Sequence, residues 1–388
     1  MQELIWLLLP VAALGGWIAA TRSKAKPRSC PETILSPQYL EGLNYLLNEQ
    51  PDKAIDVFIR MLEVTADTFE THLALGNLFR RRGEVDRAIR IHQNLIARES
   101  LSNEQRSDAL LELGQDYMRA GLLDRAEGMF SELEQNNVYL ERVLPLLLDI
   151  YQQEHEWDNA IKTAEKMEQV GVQPASPIIA QYYCELAEQA RQRGDADKVR
   201  GLLAQAMERD KGCARASILL GDIEQQAGHP EAALMAYRQI EKQDIELLPE
   251  VLDRMYACHQ SLGNIDSMID YLRDAIPRYN GVSPVLVLTD LLARERGAQA
   301  ASDFIAAQLD RRPSVRGLAR FIELNLEDCD GARRENLMIL KKITDQLQEN
   351  KPVYACHDCG FSGKAIHWQC PGCKHWNTVK PIHGVEGE

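Results

Sequence analysis

Aromatic side chains are scarce in this sequence, at 6% of 388 residues, a shortage that suits helices packed through alanine and leucine rather than a core built on rings. Positive charge is also short. Lysine and arginine number 44 against 58 acidic residues, for a formal charge of -14, which argues against nonspecific binding to nucleic-acid phosphates. No P-loop, GxSxG, HExxH or phosphate-cradling glycine run between a strand and a helix is present, and the chain is read as not an enzyme. Cys30, Cys184, Cys213, Cys258 and Cys329 stand without ligand spacing. Four of them read as small core residues of helices and Cys30 as a spare thiol.

What is present is repetition. The stretch Leu75 to Ile96 reads as helix, turn and helix, with Gly76, Phe79 and Gly83 in the first half and Ala88 and His92 on one face of the second. Positions equivalent to Ala88 fall at Ala54, Ala126, Ala160, Val199, Ala233, Met268 and Ser302. The intervals are 34, 38, 34, 39, 34, 35 and 34 residues. Five residues before the marker stand Gly83, Gly121, Gly194, Gly228, Gly263 and Gly297, where a helix must stop and glycine adopts a left-handed conformation most cheaply. A single helical hairpin cannot bury its apolar face, so such units must stack. The unit resembles the tetratricopeptide repeat, which implies a solenoid. Two longer spacers, Ser100–Glu104 and Gly171–Pro177, account for the longest intervals, and the second is a candidate bend in the array.

The chain before the repeats has a different texture. Leu4 to Ala20 carries no charge and is long enough for a membrane-spanning helix, and the cations Arg22, Lys24, Lys26 and Arg28 follow it. That polarity is the reverse of a secretory signal and predicts a retained anchor, with its amino terminus periplasmic and the bulk of the chain cytoplasmic. The expected organisation is an anchor over 1–20, a juxtamembrane linker over 21–36, the repeat array over 37–312, capping helices over 313–350 and a separate small domain over 351–388.

That last segment holds the strongest chemical signal. Cys356 and Cys359 form one CxxC, Cys370 and Cys373 another, and ten residues separate the pairs. Two such knuckles place four thiolates around one tetrahedral ion, with Gly360 and Gly372 expected to permit the tight turns. Disulfides conflict with a cytoplasmic location, and a redox CxxC does not call for a matched second pair. CHDCGF followed by WQCPGC resembles the two halves of rubredoxin, at the knuckles only, and a four-sulfur cage accepts iron or zinc alike. Four protein ligands leave no open position, so the ion is structural or at most an electron carrier. His357, His367 and His375 decorate the knuckles without being needed as ligands.

An anchor, a helical-repeat scaffold and a rubredoxin-like tail, in that order, resemble the bacterial lipopolysaccharide assembly protein B family. The residues that carry the likeness are LLLPVAA near the start, HLALGNLFRRRGEVDRAIRIHQNL from His72 to Leu95, DYMRAGLLDRAEGMF from Asp116 to Phe130, YYCELA from Tyr182 to Ala187, and the terminal CHDCGF, HWQCPGCKHW and KPIHG. The resemblance implies an inner-membrane adaptor that restrains lipopolysaccharide synthesis by working with the membrane protease FtsH on the deacetylase LpxC, and that helps to assemble other lipopolysaccharide enzymes. By the repeat register, a partner-binding groove is lined by Asn77 and Arg80, Gln115 and Met118, and Asp222 and Gln225. Two other classes stay open on the residues alone: an iron electron carrier, and a zinc ribbon binding nucleic acid through Lys364, Lys374 and Lys380.

Overall fold

The computed structural model describes residues 37–48, 69–98, 101–327, 329–349 and 351–388, with positions 17, 50, 53, 54 and 57 besides. The anchor and linker expected over 1–36 therefore lie outside the described residues, Trp17 apart. Among the described residues no helix is long and apolar enough to cross a membrane. The chain divides into two compact units, residues 1–120 and 121–388.

In the first unit the described helices are α1 (Pro37–Leu47), α2 (Phe69–Arg82), α3 (Val85–Ile96) and α4 (Asn103–Arg119). Helix α2 ends because Gly83 takes φ +82, and its amide and that of Glu84 bond back to Arg80 and Phe79. The close approach of α2 and α3 is set at Gly76, where an added Cβ would run into the His92 ring. Phe79, Ala88 and Ile91 fill the space beside that crossing. Helix α4 starts on a capping box in which Ser102 and Gln105 satisfy each other's amides. Fully buried His92 sits 2.5 Å from Asp116, whose other oxygen accepts from Arg80 at 2.9 Å. Arg80 also pairs with Glu112 at 2.5 Å, so one guanidinium serves both carboxylates.

The second unit continues the pattern with α5 (Leu123–Gln135), α6 (Leu140–Gln153), α7 (Trp157–Gln169), α8 (Ser176–Gln192), α9 (Ala196–Arg209), α10 (Ala214–Gln226), α11 (Pro230–Tyr237), α12 (Ile240–Gln243), α13 (Pro249–Ser261), α14 (Ile265–Ala275), α15 (Ser283–Arg296), α16 (Ala298–Arg311), α17 (Val315–Glu327) and α18 (Gly331–Gln348). Every repeat marker is buried, from Ala54 to Ser302, including Val199 and Met268, where the alanine is replaced. The six glycines five residues before a marker, Gly83, Gly121, Gly194, Gly228, Gly263 and Gly297, have φ between +65 and +87, and the Ala160 repeat, which has His155 there instead, holds it at φ +57. Gly221 repeats the device of Gly76, its missing Cβ making room for the Tyr237 ring. The spacer after α7 is tied down by Glu168, which accepts from the Ala175 amide at 2.8 Å and the Ser176 hydroxyl at 2.9 Å. Helix α18 leaves a row of apolar side chains uncovered. Only Thr344 is buried on it, and Met338, Ile339, Leu340, Ile343 and Leu347 are exposed, where a cap would carry polar groups.

Candidate metal centre

The small domain is a three-stranded antiparallel sheet of order β2-β1-β3, with β1 at Tyr354–Cys356, β2 at Ser362–Gly363 and β3 at Val379–Pro381. Its two knuckles are built alike, fourteen residues apart. In the first, the Cys356 amide donates to the Phe361 carbonyl at 2.7 Å and the Gly360 amide to the Cys356 carbonyl at 3.0 Å; in the second, Cys370 donates to His375 at 2.8 Å and Lys374 to Cys370 at 2.9 Å. The left-handed position is Gly360, φ +75, in one knuckle and Lys374, φ +64, in the other. The expectation for Gly372 is thereby corrected. Its φ is ordinary, and it is small because a Cβ there would lie 3.1 Å from Cys359 Sγ.

The four cysteines are free thiols whose sulfurs all lie within 4.8 Å of one another. Cys356 and Cys373 are 3.7 Å apart, Cys359 and Cys370 3.6 Å. Four sulfurs about 2.3 Å from one ion stand roughly 3.8 Å apart at the edges of a tetrahedron, so the cage fits a tetrahedral ion. Contact with the Thr378 hydroxyl at 3.3 Å, helped by the amides of Cys359 and Asp358, holds the Cys356 thiol down at about 6. Cys373 goes the other way. The His375 amide favours its thiolate, but burial and the sulfurs of Cys370, Cys356 and Cys359 outweigh that and push it up to about 12. A cation removes this competition between neighbouring thiolates. Iron or zinc satisfies the cage equally; when bound, it would be held by Cys356, Cys359, Cys370 and Cys373 and would cross-link the two knuckles.

The ribbon is seated on the second unit by contacts that sequence spacing does not reveal. The Trp376 indole N–H donates to Gln152 Oε1 at 3.0 Å, and the Gln369 amide donates to the same oxygen at 3.1 Å. Trp376 meets Trp157 and Tyr182 edge-on, with centroids 6.1 and 5.8 Å away, while Trp157 and Tyr182 stack on each other at 5.6 Å. Trp368 lies 5.6 Å from the Arg215 guanidinium, which is itself buried between Glu185 and Glu188. The Tyr354 hydroxyl donates to Glu250 at 2.5 Å, and Lys380 pairs with Asp244. Lys380 is thus spent internally, which weakens the nucleic-acid reading. Glu388 is buried against the Ser283 amide and hydroxyl, the Tyr279 hydroxyl and Arg316. Two tryptophans beside the knuckles of an aromatic-poor chain were the available signal for this docking.

The six groove candidates fall into two groups. Arg80, Asp222 and Gln225 are engaged within the fold: Arg80 with Glu112 and Asp116, Asp222 with Arg254 at 2.9 Å, and both Asp222 and Gln225 with the Tyr237 hydroxyl at 2.8 and 3.2 Å. Asn77, Gln115 and Met118 are half-buried, and Asn77 Oδ1 has no hydrogen-bond partner among the described residues.

A family model described as "Rubredoxin metal binding domain" matches residues 354–381, a tetratricopeptide-repeat model matches 71–105 and a PPR-repeat model matches 115–138. Over their full lengths, the chain is 40% identical to the lipopolysaccharide assembly protein B of Escherichia coli K12 and 34% identical to that of Haemophilus influenzae strain Rd. A solved tetratricopeptide repeat protein from Parabacteroides merdae aligns over 72% of this chain and 100% of its own, at 13% identity and a TM-score of 0.31. With a relative 40% identical from end to end, a repeat solenoid and a docked four-cysteine ribbon, the chain belongs to the lipopolysaccharide assembly protein B family.

Proposed function

We propose that the chain is a membrane-anchored, non-catalytic adaptor that restrains lipopolysaccharide synthesis by promoting FtsH-dependent proteolysis of LpxC, and that it also gathers other lipopolysaccharide biosynthesis or transport proteins. The observation that carries this reading is the end-to-end identity with proteins named for lipopolysaccharide assembly. In it, residues 1–20 anchor the chain in the inner membrane with the bulk cytoplasmic, residues 21–36 link, and the helices over 37–350 form the scaffold. Sharing one membrane raises the effective concentration of adaptor and protease, so weak lateral contacts suffice. Asn77, Arg80, Gln115, Met118, Asp222 and Gln225 line the partner groove in this reading. The ion, iron or zinc, keeps the ribbon folded against the repeats.

The half-life of LpxC tests the proposal in cells depleted of this chain and restored with wild type, with Cys356→Ser/Cys359→Ser, or with an unrelated transmembrane helix in place of residues 4–20. Depletion is expected to lengthen the half-life, with only wild type shortening it again. A half-life indifferent to depletion removes the proteolytic role, and full rescue by the swapped anchor removes the anchor's specific part in it.

A further inference from the structure

A cleft of about 460 Å³ opens between the loop that joins α14 to α15, helix α16, the start of α17 and residues 383–388. Its size lies in the range of small-molecule sites. Its walls are apolar, from Ile276, Val282, Val285, Ile305, Leu309 and Val385. The charges on its lining are arranged unevenly. Glu388 is engaged by Arg316 and by the amide and hydroxyl of Ser283, so its carboxylate is already offset. Arg311 and Arg312, both exposed, have no carboxylate partner among the described residues; Arg312 spends one N–H on the Tyr279 carbonyl at 2.7 Å and keeps its other donors. His383 also lines the cleft, and its Nδ1 is buried without a hydrogen-bond partner.

An apolar trough with two uncompensated guanidinium groups and an unsatisfied imidazole nitrogen matches one ligand chemistry. We propose that this cleft binds a single-chain amphiphile with an anionic head group, its chain against the apolar walls and its head on Arg311 and Arg312. The site stands apart from the adaptor reading and from the metal cage. It is nonetheless wired to the ribbon: the Val385 carbonyl accepts from the Val315 amide at 2.7 Å, and the Ile382 amide donates to Val353, next to the strand that ends in Cys356. An occupant against His383 and Val385 braces the segment that holds β3 in place.

The test uses the full chain in lipid nanodiscs, with empty nanodiscs as the blank and a fluorescent fatty acid displaced by dodecanoate, dodecyl phosphate or dodecanol. Saturable displacement by dodecanoate is expected, with dodecanol weaker by about tenfold. Displacement by dodecanoate alone identifies a free fatty acid as the source, and displacement by dodecyl phosphate as well extends the ligand to phosphate-headed lipids. Arg311→Glu/Arg312→Glu should weaken both anions about tenfold and leave dodecanol unchanged. Val385→Trp, at a position 56% exposed and so tolerant of change, should block all three ligands. Signal no greater than that of empty nanodiscs, equal displacement by dodecanol, or variants that bind like wild type would each overturn the proposal.

Discussion

Trp376 donates its indole N–H to Gln152, a residue 224 positions earlier, and that oxygen also receives the Gln369 amide. One glutamine of a repeat helix therefore holds the ribbon at two points.

Removing the ring should loosen the ribbon without melting it. Trp376→Ala is expected to cost about 3–5 kcal/mol of attachment through lost burial and a lost hydrogen bond, because the cage itself is untouched. Hydrogen exchange over 354–381 should rise in step with exchange around Trp157 and Tyr182. Unchanged exchange at Trp157 would mean that the aromatic cluster does not carry the docking.

Stripping the ion acts on the same region from the other side. With one ion per chain by native mass spectrometry, a strong chelator should abolish protection of strands β1 and β3 and dequench or shift the tryptophan emission, while helical circular dichroism over the repeats stays close to its starting value. A ribbon of this size has too small a core to stand without its cross-link. A chelated protein whose strands stay protected would show that docking alone folds them.

The helix crossings respond to single methyl groups. Gly76→Ala drives a Cβ into the His92 ring and Gly221→Ala into Tyr237, each expected to cost about 1–3 kcal/mol by overpacking. Gly83→Ala meets open space and pays only for its positive φ, about 1 kcal/mol. Thermal denaturation should leave the Gly83 variant the most stable of the three, and a Gly83 variant less stable than the other two would refute the packing account.

Acid should weaken the first unit through His72. Burial, with Arg98 adding to it, pushes this imidazole down to about 4, whereas an unfolded histidine takes its proton near 6.5. Between those values the unfolded chain binds more protons, so this stability is complete above 6.5 and is lost as pH falls toward 4. The loss is on the order of 1–2 kcal/mol after screening. Denaturant midpoints at pH 7 and pH 4.5 should converge in His72→Gln, and an equal acid sensitivity in that variant would remove His72 as the cause.

The repeat register was legible because it is local: small residues at fixed spacing and a left-handed glycine each follow from a few neighbouring side chains. Even His155 obeys the same geometry without the glycine that announces it elsewhere. The cage was legible for the same reason, since CxxC spacing fixes which sulfurs can meet. Gly372 was misread because a glycine beside a cysteine signals a turn as readily as it signals space for a neighbouring sulfur. The seats of Trp376 on Gln152, Lys380 on Asp244 and Glu388 on Ser283 join residues over a hundred positions apart and leave no periodic trace.

That docking also orders events during synthesis. Trp157 and Tyr182 leave the ribosome 219 and 194 residues before Trp376, which at about 5–20 residues per second is roughly 10–40 seconds. For that interval the repeat surface presents an uncovered aromatic pair, and the nascent chain is most open to aggregation or premature proteolysis there. Loading of the ribbon with its ion ends that exposure, so a shortage of metal would surface first as a loss of newly made protein, before any effect on molecules already assembled.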